Sequence, residues 1–281
     1  MLIAAMGLFG TIGIFRHYIP LPSGLIACVR GFLGALFLVV FLLFRRKKPD
    51  WAAIRGSLLF LCISGASLGI NWVLLFEAYR RTTVASATLA NYTAPILVII
   101  AAPFVLRERL TVRKVICVFV ALLGMVFVSG VLVSGFSGLS GIALGLGSAV
   151  FYAILVLLNK QLTELDAFDK TIIQLLTAAA VTLPYTLLAE EWNASDFTLT
   201  AVLLLLTVCI VHTSITYALY FGSIRHLKAQ TVAIFSYIDP LVAIVLSALL
   251  LKEPFGWRET VGAVFILGAA LVSELPERKG A

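Results

Sequence analysis

FEAYRRTTVASATLANYTAPILVIIAAPFVLRERLTVRK, residues 76–114, has a counterpart in the same chain: FGSIRHLKAQTVAIFSYIDPLVAIVLSALLLKEPFGWRE, residues 221–259. A shift of 145 residues aligns the two without gaps. Phe76 then falls on Phe221, Arg80 on Arg225, Tyr92 on Tyr237, Pro95 on Pro240, Leu106 on Leu251, Glu108 on Glu253 and Arg113 on Arg258. Apolar matches are easily met by chance in a greasy chain. A Tyr-x-x-Pro, an apolar run and a basic-Glu pair at identical separations are not. The chain therefore reads as two copies of one unit, residues 1–134 and 135–281.

The solvent for these copies follows from composition. Of the 281 residues, 61% are hydrophobic and 12% charged, with a mean hydropathy of +1.07. Soluble domains run at about 45–50% apolar and about 25% charged. One soluble core of this size cannot hide so much apolar surface, so a bilayer is required. At about 20 apolar residues per crossing, the length holds about ten crossings and no separate soluble domain. Breaks in hydropathy predict helices over 2–17, 23–44, 56–79, 84–105, 112–133, 140–160, 169–189, 198–221, 229–251 and 258–275. Residues 2–15 read as a retained helix rather than a cleaved signal, because no basic stretch precedes them and no cleavage pattern follows.

Five helices per copy is an odd number, so the second copy must insert upside down relative to the first. Lysine and arginine orient the whole. With the N-terminus in the cytoplasm, 15 of the 21 Lys and Arg fall in inner loops and 5 in outer loops, and the outer loop 190–197 carries Glu190, Glu191 and Asp196 with no basic residue. Cytoplasmic loops gather positive charge. Both termini are thus expected in the cytoplasm of a cell (inner) membrane protein. The expected fold is an all-α membrane protein: ten transmembrane helices arranged as two inverted five-helix repeats around a central cavity. That arrangement is a signature of carriers, whose related halves exchange conformations to alternate access.

Other classes fall away on residue grounds. The net charge of +7 sits in short loops between apolar runs, where topology explains it better than nucleic-acid binding. Cys28, Cys62, Cys117 and Cys209 lie inside apolar runs with no metal-ligand spacing, so no disulfide, metal or cofactor is expected. Gly135-Phe136-Ser137-Gly138 formally matches a rhomboid-type serine hydrolase motif, with His212 conceivable as base. It lies in a Gly/Ser-rich run at the join of the two copies, which reads better as a linker. A passive channel is the other alternative.

The two Pro-to-Glu segments, Tyr92-Thr-Ala-Pro95 with Leu106-Arg-Glu108 and Tyr237-Ile-Asp-Pro240 with Leu251-Lys-Glu253, resemble the EamA-type members of the drug/metabolite transporter superfamily. The ten-helix length and Arg30 early in helix 2 fit the same family. One departure is Phe9-Gly10 in place of the tryptophan often found in helix 1. The resemblance implies a central cavity lined by helices 1, 3, 4, 6, 8 and 9, and export of amino acids or similar metabolites.

Polar residues facing lipid are costly, so polar stripes should point inward. Helix 3 carries Ser64, Ser67 and Asn71 on one stripe, with Trp72 beside it. Helix 4 carries Thr88, Asn91 and Tyr92, and helix 6 carries Ser148, Tyr152 and Asn159. Helix 8 carries His212, Thr216 and Tyr220 with Tyr217 adjacent; helix 9 carries Ser236, Tyr237 and Asp239. Asn71, Trp72, Asn91, Tyr92, Tyr152, His212, Tyr217 and Tyr237 are the substrate-binding candidates. Aromatic rings and amides suit a small molecule with an apolar body and a polar head. Asp239, near mid-membrane, is the candidate proton carrier, and His212 a second. Arg30 either snorkels outward or meets a substrate carboxylate. Pro95 and Pro240 each free a backbone carbonyl and predict kinks able to act as gates.

Overall fold

The computed structural model describes residues 1–105, 111–128, 139–162, 165–224, 238–253 and 256–275. Among the described residues every regular element is helical. In chain order the longer ones are α1 (Leu2–Tyr18), α2 (Ser23–Phe44), α3 (Leu58–Arg81), α4 (Val84–Asn91 and Ala94–Val105) and α5 (Val112–Val128). Then come α6 (Leu139–Gln161), α7 (Ala167–Ala189), α8 (Leu199–Thr207, Val208–Ile215 and Thr216–Ile224), α9 (Ile238–Leu250) and α10 (Trp257–Glu274). Four helices, α2, α3, α6 and α7, are long and apolar enough to cross a membrane by length and composition, and shorter apolar helices accompany them. The bundle's outer faces are apolar too. Phe32, Leu36, Val40 and Leu43 on α2, and Leu183 and Leu187 on α7, are all exposed. In water this coat would drive aggregation; in hydrocarbon it is the natural surface.

Local chemistry starts the helices. Thr83, Asp166 and Thr198 each accept a backbone N–H of the first turn, from Ser86, Phe168 and Ala201, and so cap α4, α7 and α8. Two further caps come from distant carboxylates. Glu190, just past α7, accepts the N–H groups of Gly24 and Leu25 at 2.7 and 3.0 Å and closes the start of α2. Glu253, past α9, accepts the Val84 N–H at 2.9 Å and closes the start of α4. A carboxylate there satisfies orphan donors and complements the positive end of the helix dipole.

Three local features refine the helices expected from sequence. A short helix, Trp51–Gly56, precedes α3, started by Asp50, whose side chain accepts the Ala53 N–H at 3.1 Å. The stretch expected as one helix over 84–105 is broken at Tyr92–Thr93. Within α8, residues Val208–Ile215 wind as a π-helix. In packing, α3 runs along α6 and α7, α2 along α7, α5 along α10 and α1 along α9. Small residues permit the closest approaches. Gly65 and Gly69 of α3 lie against the Gln174 and Ala178 backbone of α7, where a methyl would meet carbonyl oxygens at 2.7 and 2.9 Å.

Candidate functional site

The break in α4 builds the first wall. Pro95 has no N–H, so the Asn91 carbonyl loses its partner one turn on, and the chain turns through Tyr92–Thr93 before winding again. The Asn91 side chain is pinned from two other helices. Its Oδ1 accepts from Asn71 Nδ2 at 3.1 Å and from Ser148 Oγ at 2.8 Å. Asn71 also donates to the Ser148 carbonyl at 2.9 Å. Asn71 and Ser148 are fully buried, so this knot locks α3, α4 and α6 together at the cavity, which Asn71 and Asn91 both line.

The second wall is α9. The Tyr92 hydroxyl donates to Asp239 Oδ2 at 2.6 Å, tying the α4 break to α9. Alongside, α1 comes in closely because residue 10 is glycine. A methyl there would lie 2.5 Å from the Asp239 carbonyl oxygen. The Phe9-Gly10 pair thus serves two purposes: Phe9 presents a ring to the cavity, and Gly10 lets α1 meet the Asp239 backbone.

The third wall holds a buried cation. Arg30 of α2 is only 3% exposed. Its Nε donates to Thr213 Oγ1 at 2.7 Å, and the Thr213 hydroxyl donates to the Val208 carbonyl at 3.0 Å. The guanidinium stacks over the Trp72 ring at 4.1 Å, with Phe76 at 5.9 Å. Such stacking contributes about 0.5–2 kcal/mol, more when desolvated. The snorkelling alternative does not describe this side chain, which lies against Trp72 inside the bundle.

These walls enclose a cavity of about 170 Å³. That is below the range of about 300–1,000 Å³ typical of drug-sized ligands and suits a small metabolite. Of the sequence-expected residues, Arg30, Asn71, Trp72 and Asn91 line it, as do Tyr92, Tyr152, Tyr217 and Asp239. Helices α1, α3, α4, α6, α8 and α9 contribute, and α2 adds Arg30. His212 is elsewhere. It is 1% exposed, with Nε2 2.7 Å from Thr11 Oγ1 and its ring 4.6 Å from Phe15, so it fastens α8 to α1. Pro240 is buried in the first described turn of α9. Tyr237 and Ser137 lie outside the described residues.

Sequence reasoning missed Tyr79, Phe76 and Leu75, which continue the Asn71–Trp72 face of α3 at helical spacing into the cavity. It also missed Met6 and Ile12, which flank Phe9 at spacings of one turn on α1. Only apolar character and period marked these, and most helices here share both. Tyr79 is further held by a 3.2 Å hydrogen bond between its hydroxyl and Thr88 Oγ1.

Comparison with known proteins places this architecture. The model of the EamA-like transporter family matches residues 1–130 and again residues 139–274. The chain is 30% identical to the uncharacterized transporter YxxF of Bacillus subtilis (strain 168), with 99% of this chain and 89% of that one covered. An uncharacterized transporter of Archaeoglobus fulgidus is 24% identical, with 95% and 92% covered. One crystal structure superposes with a TM-score of 0.67 at 17% identity, covering 97% of this chain and 95% of that chain, a likeness of fold alone.

Proposed function

The chain belongs to the EamA-like transporter family of the drug/metabolite transporter superfamily, and on that premise we propose that it carries a small amphipathic metabolite, an amino acid or similar compound, out of the cell. It is a multi-pass membrane transporter and not an enzyme. In the proposed mechanism two inverted five-helix repeats, residues 1–134 and 135–281, rock about the central cavity and open it to each side in turn. Both termini face the cytoplasm in this reading, on the Lys/Arg bias of the loops. The contact pattern supports the repeat. Exchanging each helix for its counterpart in the other half, α1 with α6, α2 with α7 and so on to α5 with α10, turns the α1–α9 contact into α6–α4, α2–α8 into α7–α3 and α3–α6 into α8–α1, and all six occur. The α2–α7, α5–α10 and α4–α9 contacts map onto themselves.

The observation that carries the reading is the cavity itself: polar, aromatic and ionisable side chains from seven helices converge on it, while the bundle's outside is apolar. Asp239 is the proposed proton carrier. Its hydrogen bond from Tyr92 joins α4 to α9, so protonation there would bear on the contact between the repeats. Counterflow in proteoliposomes against an amino-acid and metabolite panel, with and without a pH gradient, tests both parts. Saturable counterflow is expected, ruling against a channel. Asp239→Asn should abolish its dependence on the gradient; retention of that dependence removes the proton role.

A further inference from the structure

The cavity contains a positive charge, Arg30, that no carboxylate among the described residues pairs with. Among the described residues the ion pairs are Lys47–Asp166, Arg80–Glu77 and Arg81–Glu77, and none involves Arg30. Its hydrogen-bond partner is the neutral hydroxyl of Thr213, and its stacking partners are the neutral rings of Trp72 and Phe76. Asp239, the carboxylate among the described lining residues, is bonded to Tyr92 instead. A lone guanidinium inside a membrane protein is costly, and such groups pair or mark a substrate path. Here Thr213 takes up Nε and Trp72 fixes the plane, while both terminal nitrogens stay without a partner among the described residues. Two parallel N–H groups on a planar fork match the two oxygens of a carboxylate.

We propose that Arg30 is the docking point for a carboxylate carried by the substrate, so that the cavity accepts acids and rejects their amides and decarboxylated amines. This deepens the carrier reading above and rests on it. It also orients the substrate: the acid group lies at α2 against Trp72, and the remainder extends past the tyrosines toward Asp239. Neutralisation by substrate relieves the cost of the buried charge, which makes acid binding strong for so few contacts. Positioning falls to Thr213, which acts through Arg30 and meets the ligand only indirectly.

The test uses the full chain with Trp72 as its single tryptophan, through Trp51→Phe, Trp192→Phe and Trp257→Phe. Because Arg30 stacks on Trp72, a carboxylate on Arg30 should change the Trp72 emission in a saturable way. The probes are the common L-amino acids, each beside its amide and its decarboxylated amine, with sodium chloride and sodium phosphate as inorganic anions. For every acid that binds, the amide and the amine are expected to bind at least about tenfold more weakly. Arg30→Gln should lose acid binding by a similar factor, and Arg30→Lys should keep part of it. The comparison of acid with amide is made on unaltered Arg30, so a poorly folding variant does not blunt it. An amide or amine binding as tightly as its acid overturns the proposal. So does saturation by chloride or phosphate alone, or unchanged acid binding in a well-folded Arg30→Gln. Counterflow of the same panel separates the layers: flux that persists alongside any of these results sinks the Arg30 assignment alone, and absence of flux for every probe sinks the amino-acid reading with it.

Discussion

α3 and α8 stand at corresponding positions in the two proposed repeats, and both carry hydroxyl residues in their middle, yet they wind differently. On α3, Ser64 Oγ donates to the Leu61 carbonyl at 3.0 Å and Ser67 Oγ to Ile63 at 2.9 Å, three and four residues back, within ordinary α pitch. On α8, Thr213, Ser214 and Thr216 donate to Val208, Cys209 and Val211, each five residues back, at 3.0, 3.0 and 2.7 Å. The wider π turn is thereby braced by its own side chains. It also turns Thr213 toward Arg30 and His212 toward Thr11. π segments concentrate at functional sites. One helix is thus an anchored strut; its counterpart gives up regular pitch to hold a cation at the cavity.

The strut should be the more sensitive of the two to polar deletion. Asn71 ties α3 to Asn91 and Ser148, and Gln174 of α7 donates to Ser64 and Asn159 at 2.8 Å each, a second knot on the same helix. Asn71→Leu removes the hydrogen bonds to Asn91 Oδ1, the Ser148 carbonyl and Ser148 Oγ, a cost of about 2–3 kcal/mol. It should give the largest fall in thermal midpoint of the variants considered, read by size-exclusion after heating in detergent. His212→Leu, which removes one fastening of α8, should cost about half as much. Equal losses would erase the contrast between strut and seam.

Next in size is the approach of α1 to α9. Gly10→Ala places a methyl 2.5 Å from the Asp239 carbonyl oxygen and 2.7 Å from Val242 Cβ. Overpacking of this kind costs about 1–3 kcal/mol. Gly7→Ala is the matched control, with nothing within 4 Å of its added methyl. Transport and stability should fall in the first variant and hold in the second. A harmless Gly10→Ala would show that the α1–α9 seam can open freely.

Thr213→Val sharpens the comparison at the cavity. It keeps shape and removes two hydrogen bonds, one from Arg30 Nε and one to the Val208 carbonyl, at about 1–2 kcal/mol of stability. If α8 winds as π in order to hold Arg30, the apparent affinity for the proposed acid substrates should weaken several-fold while maximal flux changes little. Thr216→Val, whose hydroxyl bonds among the described residues to the Val211 carbonyl of α8 itself, should leave affinity unchanged.

How much of this was readable from residues alone differs along the chain. The apolar runs marked the helices because lipid demands them, and Pro95 marked the break in α4 because it lacks an N–H. Arg30, Asn91 and Asp239 stood out as polar groups in costly places. The π turn of α8 was not readable. His212, Thr213, Ser214 and Thr216 fit an α pattern equally well, and only contacts with Thr11 and Arg30, about 200 and 183 residues away in sequence, decide between pitches. For the same reason His212 looked like a cavity residue. The helix Trp51–Gly56 did have a signal, Asp50 before a short mixed run, but hydropathy breaks hid it inside a loop.

The smallest expected effect contrasts the two ends of the α2–α7 pair. At one end Glu190 caps α2 through backbone N–H groups; at the other, Lys47 Nζ meets Asp166 Oδ2 at 2.6 Å beside the start of α7. Asp166 precedes the membrane-spanning stretch of α7. Partial burial alone would push its carboxyl up, but the hydrogen bonds from Lys47 and from the Phe168 N–H, with the Lys47 charge, outweigh this and hold it below the usual aspartate value. A carboxyl lowered in the folded state adds stability above its unfolded value, near about 3.9, and that stability is lost as pH falls through the lower folded value. Since the Lys47 and Asp166 side chains are 39% and 25% exposed, screening limits the contribution to a few tenths of a kcal/mol. Asp166→Asn should therefore lower the thermal midpoint slightly at neutral pH and narrow its difference from the unaltered protein as pH falls below about 4. An equal gap at both pH values would assign the effect to the lost Phe168 cap geometry and leave the ion pair with no share in holding α2 to α7.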